Sequence, residues 1–116
     1  MKYLLMIYDA EGQSPQYGTP EFEQMMAGYK AFSEKVQSKG IMLGGEPLEP
    51  VATATSVRMR DGNVQLTDGP FAETKEQLGG FYLLECESLD EALAYAEEIP
   101  SAAWGTVEVR PVADFG

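Results

Sequence analysis

The sequence predicts an α+β fold of the ferredoxin-like split βαβ kind, an antiparallel sheet with two helices on one face. Two segments carry helix start signals followed by apolar residues at helical spacing, and several short segments are patterned as strands. The third observation is the order of elements, which is strand, helix, strand, hairpin, strand, helix, strand. With 116 residues the chain has the length of a single domain, which we assign to residues 1–116.

The first strand and the first helix follow from local patterns. Residues 3–8 are apolar on both alternating sets, as in a strand that is covered on both faces. Thr19 is a suitable N-cap and Pro20 suits the first helical position, while Gly40 is placed to end the helix. The apolar residues between them fall three or four apart and form one stripe: Phe22, Met25, Met26, Tyr29, Phe32 and Val36.

The dipeptide Asp61-Gly62 predicts a two-residue hairpin turn between strands over 53–60 and 63–68. The register imposed by this turn matches apolar with apolar residues and polar with polar ones: Arg60 with Asn63, Met59 with Val64, Arg58 with Gln65 and Val57 with Leu66. Because a slip of one residue would destroy this agreement, the register is well specified.

Glycines and polar residues mark the segments on either side of the hairpin. Residues 41–48 predict a strand in which Gly44 and Gly45 indicate a bulge or a close backbone approach. After the hairpin, residues 72–78 are polar and predict a short helical turn. A further strand is expected over 81–87.

A second helix is predicted from a capping box, in which Ser88 is the N-cap and Glu91 the third helical residue. The helix is expected to end at Pro100, and a last strand to run over 106–112. The residues expected to face the core from this helix are Ala92, Leu93, Tyr95, Ala96 and Ile99.

A homodimer is expected because two helices can cover only one face of the sheet. Several predicted strands are apolar on both faces, so the second face needs a partner. A copy of the same chain related by a two-fold axis is the simplest partner.

Composition excludes several classes of function. The formal net charge of −11, with no basic cluster, disfavours nucleic acids and anionic membranes as partners. No apolar run reaches the roughly 20 residues of a membrane span, and the single cysteine, Cys86, fits a cytoplasmic protein and a small buried apolar residue. The chain has no histidine, which removes the usual general base and the usual nitrogen ligand, so we expect no metal and no cofactor.

The segment TDGPFAETKEQLGGF, residues 67–81, resembles the signature of the DGPF branch of the YCII-related family. The match extends to residues 2–8, 45–48 and 107–112 and so covers nearly the whole chain. This resemblance implies a dimeric α+β barrel, the fold of small monooxygenases and muconolactone-type isomerases. It also implies a genomic association with extracytoplasmic-function sigma factors, and no settled activity. The wider family has been suggested to use a His–Asp pair, of which this chain can match the aspartate alone, at Asp68.

Three predicted site residues carry charge. Asp68 is either a general acid or base or a residue that shapes the turn after the hairpin. Arg110, which projects from the last strand with Glu108, either anchors an anionic ligand or forms a structural ion pair. Lys75 belongs either to a lid over a cleft or to a solvated turn.

The other predicted site residues are aromatic or bring polar tips to an apolar cavity. Glu46, Tyr8 and Tyr82 are candidates for the ligand-binding lining, with core packing as the alternative for the tyrosines. Phe71 is a further ligand-binding candidate, and it is expected with Trp104 to fill the dimer interface.

Three functional hypotheses remain open at this level. The first is a homodimer that binds a small organic ligand in a cleft between the sheet and the dimer interface, with a regulatory role. The second is a metal-independent enzyme with Asp68 as acid or base and Arg110 as anion anchor. The third is a protein-interaction dimer associated with sigma-factor regulation.

Overall fold

The predicted α+β architecture is confirmed in the computed structural model, which describes residues 1–116. The elements in chain order are β1 (Lys2–Asp9), α1 (Pro20–Ser38), β2 (Met42–Pro47), β3 (Thr55–Arg60), β4 (Asn63–Asp68), β5 (Gln77–Glu85), α2 (Leu89–Glu97) and β6 (Thr106–Pro111). Strands β2, β5, β1 and β6 form an antiparallel sheet in that order, while β3 and β4 form a separate two-stranded sheet.

The helix boundaries follow the predicted caps. The Thr19 side chain accepts a hydrogen bond of 3.2 Å from the Phe22 amide at the start of α1, and Gly40 follows its last turn with a φ of 72°. At the start of α2 the Ser88 side chain accepts a hydrogen bond of 3.2 Å from the Glu91 amide. These bonds satisfy amide groups that the helices themselves leave unpaired, so the termini are specified locally.

One hydrophobic core fills the space between the sheet and the two helices. Alternate residues of β1 and β5 point into it, and paired residues across the strands, such as Leu5 and Tyr82, lie on the same side. The buried cluster is completed from both helices and the segment after α2: Tyr3, Leu5, Ile7, Tyr82, Leu84 and Cys86 meet Phe32, Val36, Ala92, Tyr95, Ala96 and Ile99. Burial of Cys86 agrees with its predicted apolar role.

The opposite face of the four-stranded sheet, which we call the open face, contributes nothing to this core. Leu4 pairs with Leu83 and Met6 with Phe81, and all four side chains are half-buried. On β6 this face ends in two charged residues, because Arg110 is opposite Leu4 and Glu108 is opposite Met6.

The hairpin has the predicted register in all four pairs. Asp61 and Gly62 have φ values of 51° and 76°, as the mirror-image turn of a two-residue hairpin requires. Its apolar residues remain largely exposed, however: Val57, Met59, Val64 and Leu66. The radius of gyration is 16.1 Å, against about 13 Å for a compact domain of this length, so the chain is extended.

Several expected boundaries are corrected. The segment before Gln77 forms no helical turn, and β5 begins there, so the strand runs over Gln77–Glu85 and not over 81–87. A short 3₁₀ helix occupies Val51–Thr53, which shortens the first hairpin strand. Leu93, predicted to face the core, is exposed on the outer side of α2, because Ala92, Tyr95 and Ala96 take the inward positions of this helix.

The glycine pair of β2 behaves as predicted. The register with β5 shifts between Met42 and Gly44, as at a bulge, and a Cβ at Gly45 would lie 3.0 Å from the Phe81 carbonyl oxygen.

The longest helix, α1, is amphipathic and interrupted by charges, and no helix of the chain is long and apolar enough to cross a membrane.

Candidate functional site

A cavity of about 390 Å³ lies between α1 and the part of the sheet formed by β1, β2 and β5. This volume falls within the roughly 300–1,000 Å³ of small-molecule sites. Its walls are mainly apolar, with a few polar groups among them: Ile7, Asp9, Ser14, Met25, Met26, Tyr29, Ser33, Met42, Gly45, Glu46, Pro47, Gly79, Gly80, Phe81, Tyr82 and Ser101.

Glycines on β2 and β5, which have no side chains, leave room for the cavity. Gly45, Gly79 and Gly80 line it, and none of them carries a side chain that would occupy it. A Cβ at Gly79 would lie 3.5 Å from Oδ1 of Asp9, which places the Asp9 carboxylate directly over β5. The absence of side chains at these glycines therefore leaves room for the cavity.

Asp9 is the carboxylic acid of the cavity with a shifted pKa. It is the last residue of β1 and lies on the same side as Ile7 and Leu5, which face the core. Burial raises the pKa of the Asp9 carboxyl above its usual value of 3.8, and the negative charge of Glu76 raises it further. The nearby indole N–H of Trp104 acts in the opposite direction by favouring the charged form.

The position of Trp104 beside Asp9 depends on a close backbone approach at the next residue. A Cβ at Gly105 would collide with the carbonyl oxygen of Tyr8, so only glycine lets this segment approach the end of β1 so closely. Trp104 Nε1 is buried and has no hydrogen-bond partner of standard geometry. The indole N–H of Trp104 therefore lies close to the Asp9 carboxylate without a hydrogen bond of standard geometry, and Asp9 has no cationic partner.

Two pairs of hydroxyl groups connect α1 to other elements at the cavity wall. The hydroxyls of Tyr29 and Ser101 form a short hydrogen bond, and the hydroxyls of Ser33 and Tyr82 form one of 3.0 Å. Burial raises the pKa of Tyr29 above its usual value of 10.0, the Ser101 hydrogen bond opposes this, and the charges of Tyr82 and Asp9 add to it. A hydroxyl group can both donate and accept hydrogen bonds, so these four groups can also bond to a ligand.

Two of the predicted ligand-binding residues, Tyr82 and Glu46, belong to the lining of this cavity, but the Glu46 side chain lies on the open face opposite Phe81. Tyr8 is not in the lining, and its hydroxyl contacts Sδ of Met6 at 3.9 Å on the open face. Arg110 lies on the same face with its side chain 72% exposed, and its Nε is 3.6 Å from Oε2 of Glu108. The predicted anion anchor is therefore paired within its own strand.

The remaining predicted site residues lie in or after the hairpin, outside the cavity. Asp68 ends β4, pairs with Thr55 and is exposed. Phe71 and Lys75 are exposed in the irregular segment between β4 and β5. The structure does not place Asp68, Arg110 and Lys75 around the cavity, and their assignment as site residues stays a prediction.

Sequence reasoning missed Asp9, Tyr29, Ser33 and Ser101. Tyr29 belongs to the predicted apolar stripe of α1, and nothing nearby in the sequence distinguishes Ser101, which is 72 residues away, as its partner. A signal for Asp9 was available, since it follows an apolar strand at the position where the alternation points inward. No group of three or more potential metal ligands comes together anywhere in the chain.

Comparisons with known proteins agree on family and fold. A model of the YCII-related domain matches residues 1–116. An uncharacterised protein of Rhizobium meliloti is 39% identical over 115 residues, which are 97% of this chain and 93% of that protein. A structure of 5-chloro-2-hydroxyhydroquinone dehydrochlorinase (TftG) from Burkholderia phenoliruptrix, in complex with 2,5-dihydroxybenzoquinone, has a similar fold, with a TM-score of 0.54 and 19% identity. The alignment covers 97% of this chain and 94% of that one.

Proposed function

The chain belongs to the YCII-related family, and we propose that it is a homodimer that binds a small organic molecule in the cavity between α1 and the sheet. The cavity itself carries the proposal, because a volume of about 390 Å³ with apolar walls and a few convergent polar groups is typical of a small-molecule site. The sequence predicts a cleft between the sheet and the dimer interface. The cavity instead lies on the face of the sheet that the helices cover, and a single chain forms it.

The polar groups at the cavity indicate a ligand-binding site and not only a defect in the packing of the core. Asp9 has a raised pKa, the Trp104 indole beside it lacks a full partner, and two hydroxyl pairs line the wall. Buried polar groups in proteins are normally satisfied, so the Trp104 indole N–H without a partner of standard geometry and the Asp9 carboxylate without a cationic partner favour a ligand at this end of the cavity.

Two apolar surfaces, one half-buried and one exposed in the single chain, support the homodimer. One is the open face of the sheet, and the other is the hairpin, where Val57, Met59, Val64 and Leu66 are each more than half exposed. Exposed apolar surface of this extent on a chain that is less compact than a monomeric domain is typical of a protein–protein interface. The hairpin has two arginines and two aspartates and is neutral, whereas the chain as a whole has a net charge of −11, so it can approach a second copy without repulsion.

A second candidate function is an enzyme in which Asp9 transfers a proton to or from the ligand. Desolvation makes the Asp9 carboxylate a stronger base than an exposed one, which suits a general base. The similarly folded TftG, a dehydrochlorinase, was solved with 2,5-dihydroxybenzoquinone, so this fold can hold a small ring compound. Geometry favours Asp9 over the exposed Asp68 for this role, and turnover of any substrate should be lost in Asp9→Asn and retained in Asp68→Asn.

Ligand binding is tested with a thermal-shift screen of small metabolites, because a ligand that binds only the native state raises the melting temperature. Met26 lines the cavity and is half exposed, so Met26→Trp should block the cavity with little effect on the core. Leu93→Trp places the same side chain on the outer surface of α2 and serves as the control. Hits should disappear in Met26→Trp alone; a screen without hits, or hits that both variants retain, would contradict the proposed cavity.

A further inference from the structure

The charges around the cavity all have one sign. The carboxylate that faces it is Asp9, its lining contains no lysine or arginine, and the Glu46 side chain lies on the open face opposite Phe81. A second carboxylate, Glu76, is close enough to raise the pKa of Asp9. Such a site attracts cations and repels carboxylate and phosphate ligands.

Asp9 has no cationic partner in the protein. The ion pairs of the chain join the N-terminal amine to Glu85, Lys35 to Glu98 and Arg110 to Glu108. A desolvated carboxylate is costly unless a charge or several hydrogen-bond donors compensate it. The Trp104 indole supplies at most one donor, so Asp9 retains the capacity to accept further hydrogen bonds.

The hydroxyl pairs add acceptors to the same cavity. Each hydroxyl oxygen has two lone pairs, and the mutual bonds between Tyr29 and Ser101 and between Ser33 and Tyr82 occupy only some of them. An ammonium group, with three donors and no acceptor, is the complement of a cavity that offers a carboxylate and several hydroxyl oxygens. The apolar part of the lining, which includes Met25 and Met26, then accommodates a hydrocarbon body.

We propose that the ligand of this cavity is a small organic cation, an amine with an apolar body, whose ammonium group pairs with Asp9. This inference rests on the proposed function, since it names the ligand class of the same cavity. It also differs from the anionic ligand that Arg110 would have anchored.

The test compares ligands that differ only in charge. Isothermal titration calorimetry is performed with 2-phenylethylamine, 2-phenylethanol and phenylacetate, and with the corresponding amine, alcohol and acid of the cyclohexyl series. In the wild-type protein we expect the amine of at least one series to bind roughly tenfold or more tighter than its alcohol, and the acid to bind least. Asp9→Asn keeps the shape of the side chain and removes its charge, so it should bring amine and alcohol to within about threefold of each other.

Asp61→Asn is the matched control, because it makes the same substitution at the exposed hairpin turn, where asparagine is equally suitable. It should preserve the preference for amines. An alcohol or acid that binds as tightly as its amine in the wild-type protein, an amine preference that survives Asp9→Asn, or the failure of both amines to bind would overturn the assigned ligand class. None of these results removes the cavity function, which fails only if the metabolite screen is blank or insensitive to Met26→Trp.

Discussion

Leu66→Gln should weaken the proposed homodimer, because Leu66 is the most exposed of the four apolar hairpin residues that the interface would cover. Complete burial of a leucine side chain stabilises by about 1.5–3 kcal/mol. Leu66 is 70% exposed, so covering it contributes about 1–2 kcal/mol for each protomer. A two-fold dimer contains the contact twice, which gives about 2–4 kcal/mol, or a Kd raised about 30- to 700-fold.

Sedimentation velocity over a dilution series measures this change directly, since the dimer should dissociate at higher protein concentration in the variant. Leu93→Gln is the control, because it makes the same substitution at an exposed leucine on the outer side of α2. Equal dissociation constants for Leu66→Gln and the wild-type protein would refute the assignment of the hairpin to the interface. A wild-type protein that is monomeric at all concentrations would refute the dimer itself.

Three further predictions concern stability. Leu84→Ala removes a fully buried core side chain and should lower the free energy of unfolding in urea by about 2–5 kcal/mol. Ser88→Ala removes the N-cap of α2 and should cost about 1 kcal/mol in the same assay; a variant as stable as the wild-type protein would show that this cap is dispensable. Asp9 has a raised pKa in the folded state, so the folded protein holds its proton more tightly and this group favours folding at low pH. That contribution is lost as the pH rises from the usual value of 3.8 through the folded-state pKa. Asp9→Asn should therefore gain stability relative to the wild-type protein over this pH range. Free energies of unfolding that depend on pH in the same way for both proteins would contradict the raised pKa.

The regular elements could be predicted because each depends on residues that are close in sequence. Thr19 and Ser88 form hydrogen bonds with amides only three residues away, and the Asp61-Gly62 turn sets the register of the strands on both sides of it. The boundaries that were wrong lie where local signals are weak. Residues 72–76 carry neither a cap nor an apolar period, and β5 begins at Gln77 because Asp9 of β1 pairs with it there.

The sequence by itself determined the fold class, the family, the two helices, the hairpin register and the acidic character of the surface. Only the tertiary structure decided where the cavity lies, that Arg110 pairs with Glu108 outside it, and that Asp9 lies beside Trp104. The physical reason is one of range. Caps, turns and alternation are interactions between neighbours in the chain, whereas the cavity is formed where α1 meets β1, β2 and β5, and its polar groups meet only after the core has packed.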